Sequence, residues 1–386
     1  MSFPLNILVI SADFKSGSSH VAEYGHQVAC HLQRGGDRVT VLAGRTPGDE
    51  AFDAGCAFEV LRAECTLTSG SPDLQVVACL PEWLRVLEYV ARVRRADCLM
   101  CNGPFPMGLY CALVAQRLCL PYVVAVHGPE VANPATLGLR PIQKDYALRR
   151  ADRVLCLSRC AWSRVAEQGV SPDRLALVPG GVDPDAFRPA RGGARIRARF
   201  GLNGHRMVLT PCEGDGVRRV IAALEVVLEG TPDAFCVVAG GGPCEGALRQ
   251  QAAKSSAVRG HVLFAGPVAD GERVDFYNAC DVFTVPCRST TDGVGSSFLE
   301  ANACGKPVVA GRSGDAPEGV LDGYNGLLVD PWDVEDVAYG LSMLLTDRDY
   351  ARRLGENGLR WVREELSWEK VSARVREEIR RAVEYV

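Results

Sequence analysis

The chain alternates short apolar runs with longer stretches in which apolar positions recur every three or four residues. Residues 5–10 (Leu-Asn-Ile-Leu-Val-Ile) read as a buried strand. A Gly/Ser turn at 16–19 follows, then helical periodicity over 21–34, which Gly35-Gly36 stops. Residues 38–42 are the next strand, and the same grammar returns at 96–100, 122–126 and 153–157. A second series runs through 207–210, 234–239, 262–264, 282–285 and 307–310. Strands spaced by helices imply right-handed βαβ units on parallel sheets. The expected fold class is α/β: two doubly wound, Rossmann-like domains facing a cleft. The first domain spans 1–188, a Pro-, Arg- and Gly-bearing linker spans 189–205, and the second domain spans 206–366. A charged amphipathic helix, 367–386, carries Trp368, Val371, Val375 and Ile379 on one stripe. Ligands of such sheets gather at the C-terminal ends of the strands.

Composition narrows the reading. With 386 residues and 47% apolar content the chain can fill two cores, and its net charge of −4 offers no long-range attraction to nucleic acid. The 16 cysteines are scattered, several inside apolar runs, as expected of free thiols acting as small hydrophobes in a reducing compartment. Residues 5–10 are too short for a secretory leader, and no apolar stretch nears the ~20 residues that span a bilayer. A cytoplasmic protein is expected. Residues 82–95 interleave Trp and Leu with Arg85, Arg92, Arg94 and Arg95. That pattern fits either peripheral contact with an anionic membrane face or an ordinary surface helix. Cys98 and Cys101 fall on a strand, where i and i+3 point to opposite faces, so core filling is expected rather than a metal site. His26 and Cys30 lie one helical turn apart with no second ligand pair, and no metal is expected.

The densest chemistry lies around residues 292–300. Asp292 and Glu300 stand eight residues apart around Gly293-Val294-Gly295-Ser296-Ser297. A glycine turn lets backbone N–H groups approach an anion, and a following helix adds its positive dipole end. Two acids then flank whatever carries that anion, as the hydroxyls and diphosphate of a sugar nucleotide require. Local alternatives exist. Ser297 to Glu300 is also a capping box, and Asp292-Gly293 is a common turn pair. The Gly240–Pro243 run is not a dinucleotide fingerprint, because Glu245 stands at its third glycine position.

Taken together, several segments resemble the retaining glycosyltransferases of family 4, which have the GT-B architecture. They are Val126-His127-Gly128-Pro129-Glu130, Ala151-Asp152-Arg153-Val154, Val178-Pro179-Gly180-Gly181-Val182-Asp183, Gly240-Gly241-Gly242-Pro243, the acid pair, and Gly305-Lys306-Pro307. The block from Pro307 to Glu318 is nearest to bacterial mannosyltransferases acting on phosphatidylinositol-type lipids. The resemblance implies transfer of a hexose, with retention, from a GDP- or UDP-sugar co-substrate to a hydroxyl acceptor, with no tightly bound cofactor. It implies an acceptor-binding first half, a donor-binding second half, and a last helix that returns to the first. It places His127 on the transferred sugar, Asp292 and Gly293 to Ser296 on the sugar and diphosphate, and Glu300 on the ribose. Ser297 opens the helix behind that turn. Gly17 and Ser18 fall beneath the phosphates and Gly266 beside the base. The family reaction is a front-face displacement, so neither acid is assigned as a covalent nucleophile.

One departure stands out. The family carries an Arg and a Lys after the first strand of its second half, both on the diphosphate. Here that loop reads Pro211-Cys212-Glu213-Gly214-Asp215-Gly216-Val217-Arg218-Arg219, with Asp215 in the lysine's place. Unit charges about 4 Å apart interact by ~1 kcal/mol in water and ~4 kcal/mol at an effective dielectric near 20. Reversing a sign here costs several kcal/mol of diphosphate binding unless Arg218, Arg219 or Arg288 compensates, or a divalent metal, unusual for the family, bridges Glu213 or Asp215 to the phosphates. Two further readings therefore stand beside the transferase: a GT-B protein that binds a sugar or partner without transfer, and a GT-B sugar phosphorylase.

Overall fold

In the computed structural model the described residues are 3–14, 19–46, 48–65, 67, 73–132, 140–190, 192–212, 215–287, 296–314 and 316–384. They fall into two compact units. The first runs to Gly180 and includes the helix Trp368–Glu384; the second runs from Gly181 to Ser367.

The first unit holds β1 (Asn6–Ser11), β2 (Arg38–Gly44), β3 (Glu59–Ala63), β4 (Cys98–Asn102), β5 (Tyr122–Val126), β6 (Arg153–Cys156) and β7 (Leu175–Leu177). All pair in parallel, in the order β3-β2-β1-β4-β5-β6-β7. Ile7 to Ile10 and every residue of β4 and β5 are buried, which is why these strands read as unbroken apolar runs. Cys98 and Cys101 enter different apolar clusters on the two faces of this sheet, as the strand period requires. Helix Trp368–Glu384 supplies Val371, Val375 and Ile379 to one of these clusters. It is pinned by Arg376 Nε to Asp37 Oδ2 at 2.6 Å and by Arg153 Nε to Glu378 Oε2 at 2.6 Å.

The second unit repeats the plan with β8 (Arg206–Pro211), β9 (Ala234–Ala239), β10 (Val262–Gly266), β11 (Val282–Val285), β12 (Val308–Gly311) and β13 (Gly326–Val329). The order is β10-β9-β8-β11-β12-β13, again parallel. Each sheet reverses its winding beside its first strand, between β1 and β4 and between β8 and β11. A doubly wound sheet opens a ligand crevice at such a point.

Two expectations need correction. Residues 189–205 are not a linker. They contain the helix Gly193–Phe200, which packs on the helix Asp270–Ala279 within the second unit. Gly193 makes this possible, since a Cβ there would lie 2.5 Å from the Asn278 backbone. Arg197 then locks the contact, donating to the Ala279 carbonyl and pairing with Asp281, both at 2.8 Å. Nor are all the cysteines free. Cys65 and Cys79, with Cα atoms 6.1 Å apart, form a disulfide. The Trp83 indole donating to the Cys65 carbonyl at 3.0 Å brings the end of β3 against the helix Asp73–Val93.

Candidate functional site

Both candidate clusters grow from strand ends. In the first unit, His127 directly follows β5 and is only 5% exposed. Its amide donates to Glu130 Oε1 at 2.7 Å, which fixes the turn through Gly128 (φ +117°). Its ring nitrogen Nε2 lies 2.9 Å from Oδ1 of Asn102, the last residue of β4. Asn102 Nδ2 in turn donates to the Val21 carbonyl at 2.7 Å and to Ser11 Oγ at 3.1 Å. The Tyr24 ring meets the imidazole edge-on, with centroids 5.1 Å apart. Burial, with a smaller push from His20, lowers the His127 pKa to about 4, so the ring is neutral near pH 7. The ends of β1, β4 and β5 thus converge on one uncharged polar cluster at the sheet's reversal point.

In the second unit, the helix Ser296–Ala303 follows β11 and buries Glu300. One carboxylate oxygen pairs with the Arg273 guanidinium; the other accepts from the Tyr277 hydroxyl at 2.8 Å. Both partners sit one turn apart on Asp270–Ala279, and Arg273 lies over the Phe187 ring at 5.6 Å. Burial, reinforced by the Glu300 charge, raises the Tyr277 pKa and keeps its O–H a donor. The Glu300 carboxylate is thus committed to partners beyond its own helix, unlike the acid of a closed capping box. Ser296 and Ser297 are half-buried at the start of the same helix.

At the reversal point of the second sheet, the helix Gly216–Gly230 begins so close to β11 that a Cβ on Gly216 would lie 3.1 Å from the Pro286 carbonyl. Asp215 stands just before it, its Oδ1 3.2 Å from Arg219 Nη1. Arg219 also lies over the Trp332 ring at 5.5 Å, whereas Arg218 is exposed. Gly266 ends β10 in the left-handed region (φ +69°), where its carbonyl accepts from Gly240 at 2.9 Å. Gly17, Ser18, Glu213, Arg288, Asp292, Gly293, Val294 and Gly295 lie outside the described residues. Among the described residues no three His, Cys, Asp or Glu side chains are grouped to hold a metal.

Residues 21–186 match the family model described as Glycosyltransferase Family 4, and residues 213–361 match the one described as Glycosyl transferases group 1. A relative from Mycolicibacterium smegmatis, a GDP-mannose-dependent alpha-(1-6)-phosphatidylinositol monomannoside mannosyltransferase, is 31% identical over 96% of this chain and 97% of its own. The chain belongs to glycosyltransferase family 4.

Solved structures agree on the fold. A glycosyltransferase from Rickettsia africae superposes with a TM-score of 0.82 at 15% identity, covering all of both chains. Anabaena HepE in complex with UDP gives 0.79 at 17% identity, covering 97% of this chain and 99% of that one. The architecture is the two-domain GT-B fold, and the family 4 chain is a nucleotide-sugar-dependent glycosyltransferase of the retaining kind. Sequence reasoning selected His127 and Glu300 but missed the side chains that hold the imidazole and the carboxylate. Asn102 carried a usable signal: it is the polar residue that ends an apolar strand just before Gly103, beside the reversal point. Arg273 and Tyr277 carried none, lying 27 and 23 residues from Glu300 on a helix with no motif of its own.

Proposed function

We propose that this family 4 enzyme transfers mannose from GDP-mannose to a hydroxyl of a phosphatidylinositol-type glycolipid. The observation that carries the reading is the relative of that printed activity, matched almost end to end at 31% identity. On this reading the first unit receives the acceptor and the second the donor. His127 contacts the transferred sugar, and Glu300, oriented by Arg273 and Tyr277, accepts from the ribose hydroxyls. Asp292 and residues 293–296 hold the sugar and diphosphate, with Gly17 beneath the phosphates and Gly266 beside the base. The acceptor hydroxyl attacks the anomeric carbon on the face the diphosphate leaves, and its proton passes to the departing phosphate oxygen. Orientation of the two substrates and stabilisation of the diphosphate charge supply the rate.

A lipid acceptor also gives the helix Asp73–Val93 a task. Exposed Val77, Tyr89 and Val93 lie among exposed Arg85 and Arg92, a composition suited to an anionic lipid surface. No helix among the described residues is long and apolar enough to cross a membrane.

The test is a donor panel of GDP-mannose, UDP-glucose, UDP-galactose and UDP-N-acetylglucosamine with phosphatidylinositol monomannoside as acceptor. GDP-mannose should be used fastest, giving an α-linked product by NMR. Faster use of any UDP-sugar, or no transfer from GDP-mannose, would overturn the assignment.

A further inference from the structure

The polar cluster at the reversal point of the first sheet decides which nitrogen of His127 carries the proton. Ser11 Oγ donates to the Asp13 carbonyl at 2.6 Å, which leaves its oxygen free to accept. Asn102 faces that oxygen at 3.1 Å and the Val21 carbonyl at 2.7 Å. A carbonyl only accepts, so the Asn102 atom on that side is the NH2 group. The amide oxygen therefore faces His127, 2.9 Å from Nε2. An amide oxygen also only accepts, so Nε2 must carry a hydrogen. A neutral imidazole has one N–H, and Nδ1 then keeps its lone pair. Among the described residues Nδ1 has no hydrogen-bond partner.

Packing holds this arrangement. Asn102 is 4% exposed, and a Cβ on Gly25 would lie 2.5 Å from its Nδ2. Only glycine at that helix position lets the amide sit between Val21 and His127. The edge-on Tyr24 ring limits rotation of the imidazole.

We propose that Asn102 is a positioning residue: it locks His127 in the Nε2–H tautomer and so presents Nδ1 as the acceptor for a hydroxyl of the transferred sugar. This rests on the reading that His127 contacts that sugar. It gives the histidine a definite task, orienting a hydroxyl by accepting from it. It also excludes a role in protonating the leaving phosphate, because a lone pair has no proton to give.

The tautomer is read directly from 15N-histidine-labelled protein by long-range proton–nitrogen correlation, with His127 assigned by the signals lost in His127→Gln. In the wild type, Nδ1 should resonate as a pyridine-type nitrogen and Nε2 as a pyrrole-type one. In Asn102→Ala the two should move toward averaged values. There kcat with GDP-mannose should fall ~10-fold, the worth of about one hydrogen bond, while the donor KM shifts less than ~2-fold. Gly25→Ala, which presses on the amide without deleting it, should move the spectrum the same way. An Nδ1–H or imidazolium spectrum in the neutral wild type would overturn the proposal. So would Asn102→Ala with both spectrum and kcat unchanged. If Asn102→Ala does not fold, the wild-type and Gly25→Ala spectra decide. The spectrum needs no substrate, so a protein idle with every donor would count against the proposed reaction while the tautomer was still settled.

Discussion

In the first unit the imidazole after β5 is held by an amide, a hydroxyl behind it and an aromatic edge, none of them charged. In the second unit Glu300 is held by a guanidinium and a phenol, and the helix start at β8 carries a second ion pair, Asp215 with Arg219. The first cluster works by direction: each bond fixes which atom donates and which accepts. The second works by charge, and its cations already have anionic partners inside the protein. A neutral hydrogen bond contributes ~1 kcal/mol net, whereas removing one member of a buried ion pair costs ~3–5 kcal/mol. Arg273 and Arg219 are 36% and 17% exposed at the side chain, so water softens the upper figure here. The two clusters should therefore respond differently to acid, to substitution and to salt.

The largest effect is expected from acid on the neutral cluster. The His127 pKa is lowered from 6.5 to about 4, so between those pH values the unfolded chain binds a proton that the folded chain refuses. The stability from this group is complete above pH 6.5, falls as the pH drops, and is fully lost near pH 4, a change of ~3 kcal/mol. Urea unfolding at pH 7 and near pH 4 should show this loss in the wild type and lack it in His127→Gln. Equal pH dependence in both proteins would mean that His127 is not buried neutral.

Next comes the charged cluster. Glu300→Gln removes the charge but keeps the shape, and it should weaken nucleotide binding by ~1.5–3 kcal/mol, roughly 10- to 100-fold. Its melting temperature should fall as well, because Arg273 loses its anion, but by less free energy than the affinity loses, since Arg273 is 36% exposed and can turn to water. Titration calorimetry with GDP alongside a thermal melt checks both. A large fall in melting temperature with unchanged affinity would make the Arg273–Glu300–Tyr277 triad a purely structural clamp.

The smallest effect should come from Asp215. Asp215→Lys releases Arg219 and adds a cation at the helix start, so the donor KM should stay level or fall by up to ~10-fold, with the gain shrinking in high salt. A large loss of activity would show that Asp215 is itself required, for example as a ligand for a divalent cation.

Much of this fold was legible because buried parallel strands are continuous apolar runs. The strands that the pattern left unmarked, β3, β7 and β13, are all sheet edges. Glu59–Ala63 is mostly half-buried, and Leu175–Leu177 has three residues. An edge strand need not be apolar throughout and so can leave no run to find, although β10, also an edge, keeps one in Val262-Leu263-Phe264. The same limit governs the sites. His127 and Glu300 sit in local motifs, but their partners are chosen by packing across 23 to 27 residues, which no window of sequence reports. Residues 189–205 misled for a related reason: Pro, Arg and Gly there suggested a loose connector, yet Gly193 is needed for a close helix contact.

The helix Trp368–Glu384 fills an apolar gap in a sheet whose strands were all laid down before residue 178. A ribosome reading this message therefore releases the whole second unit before it delivers the piece that completes the first. The earlier half must wait, with Val28 and Leu155 lacking part of their cover, so a chaperone or a nascent-chain partner has its longest opportunity on the half that is made first.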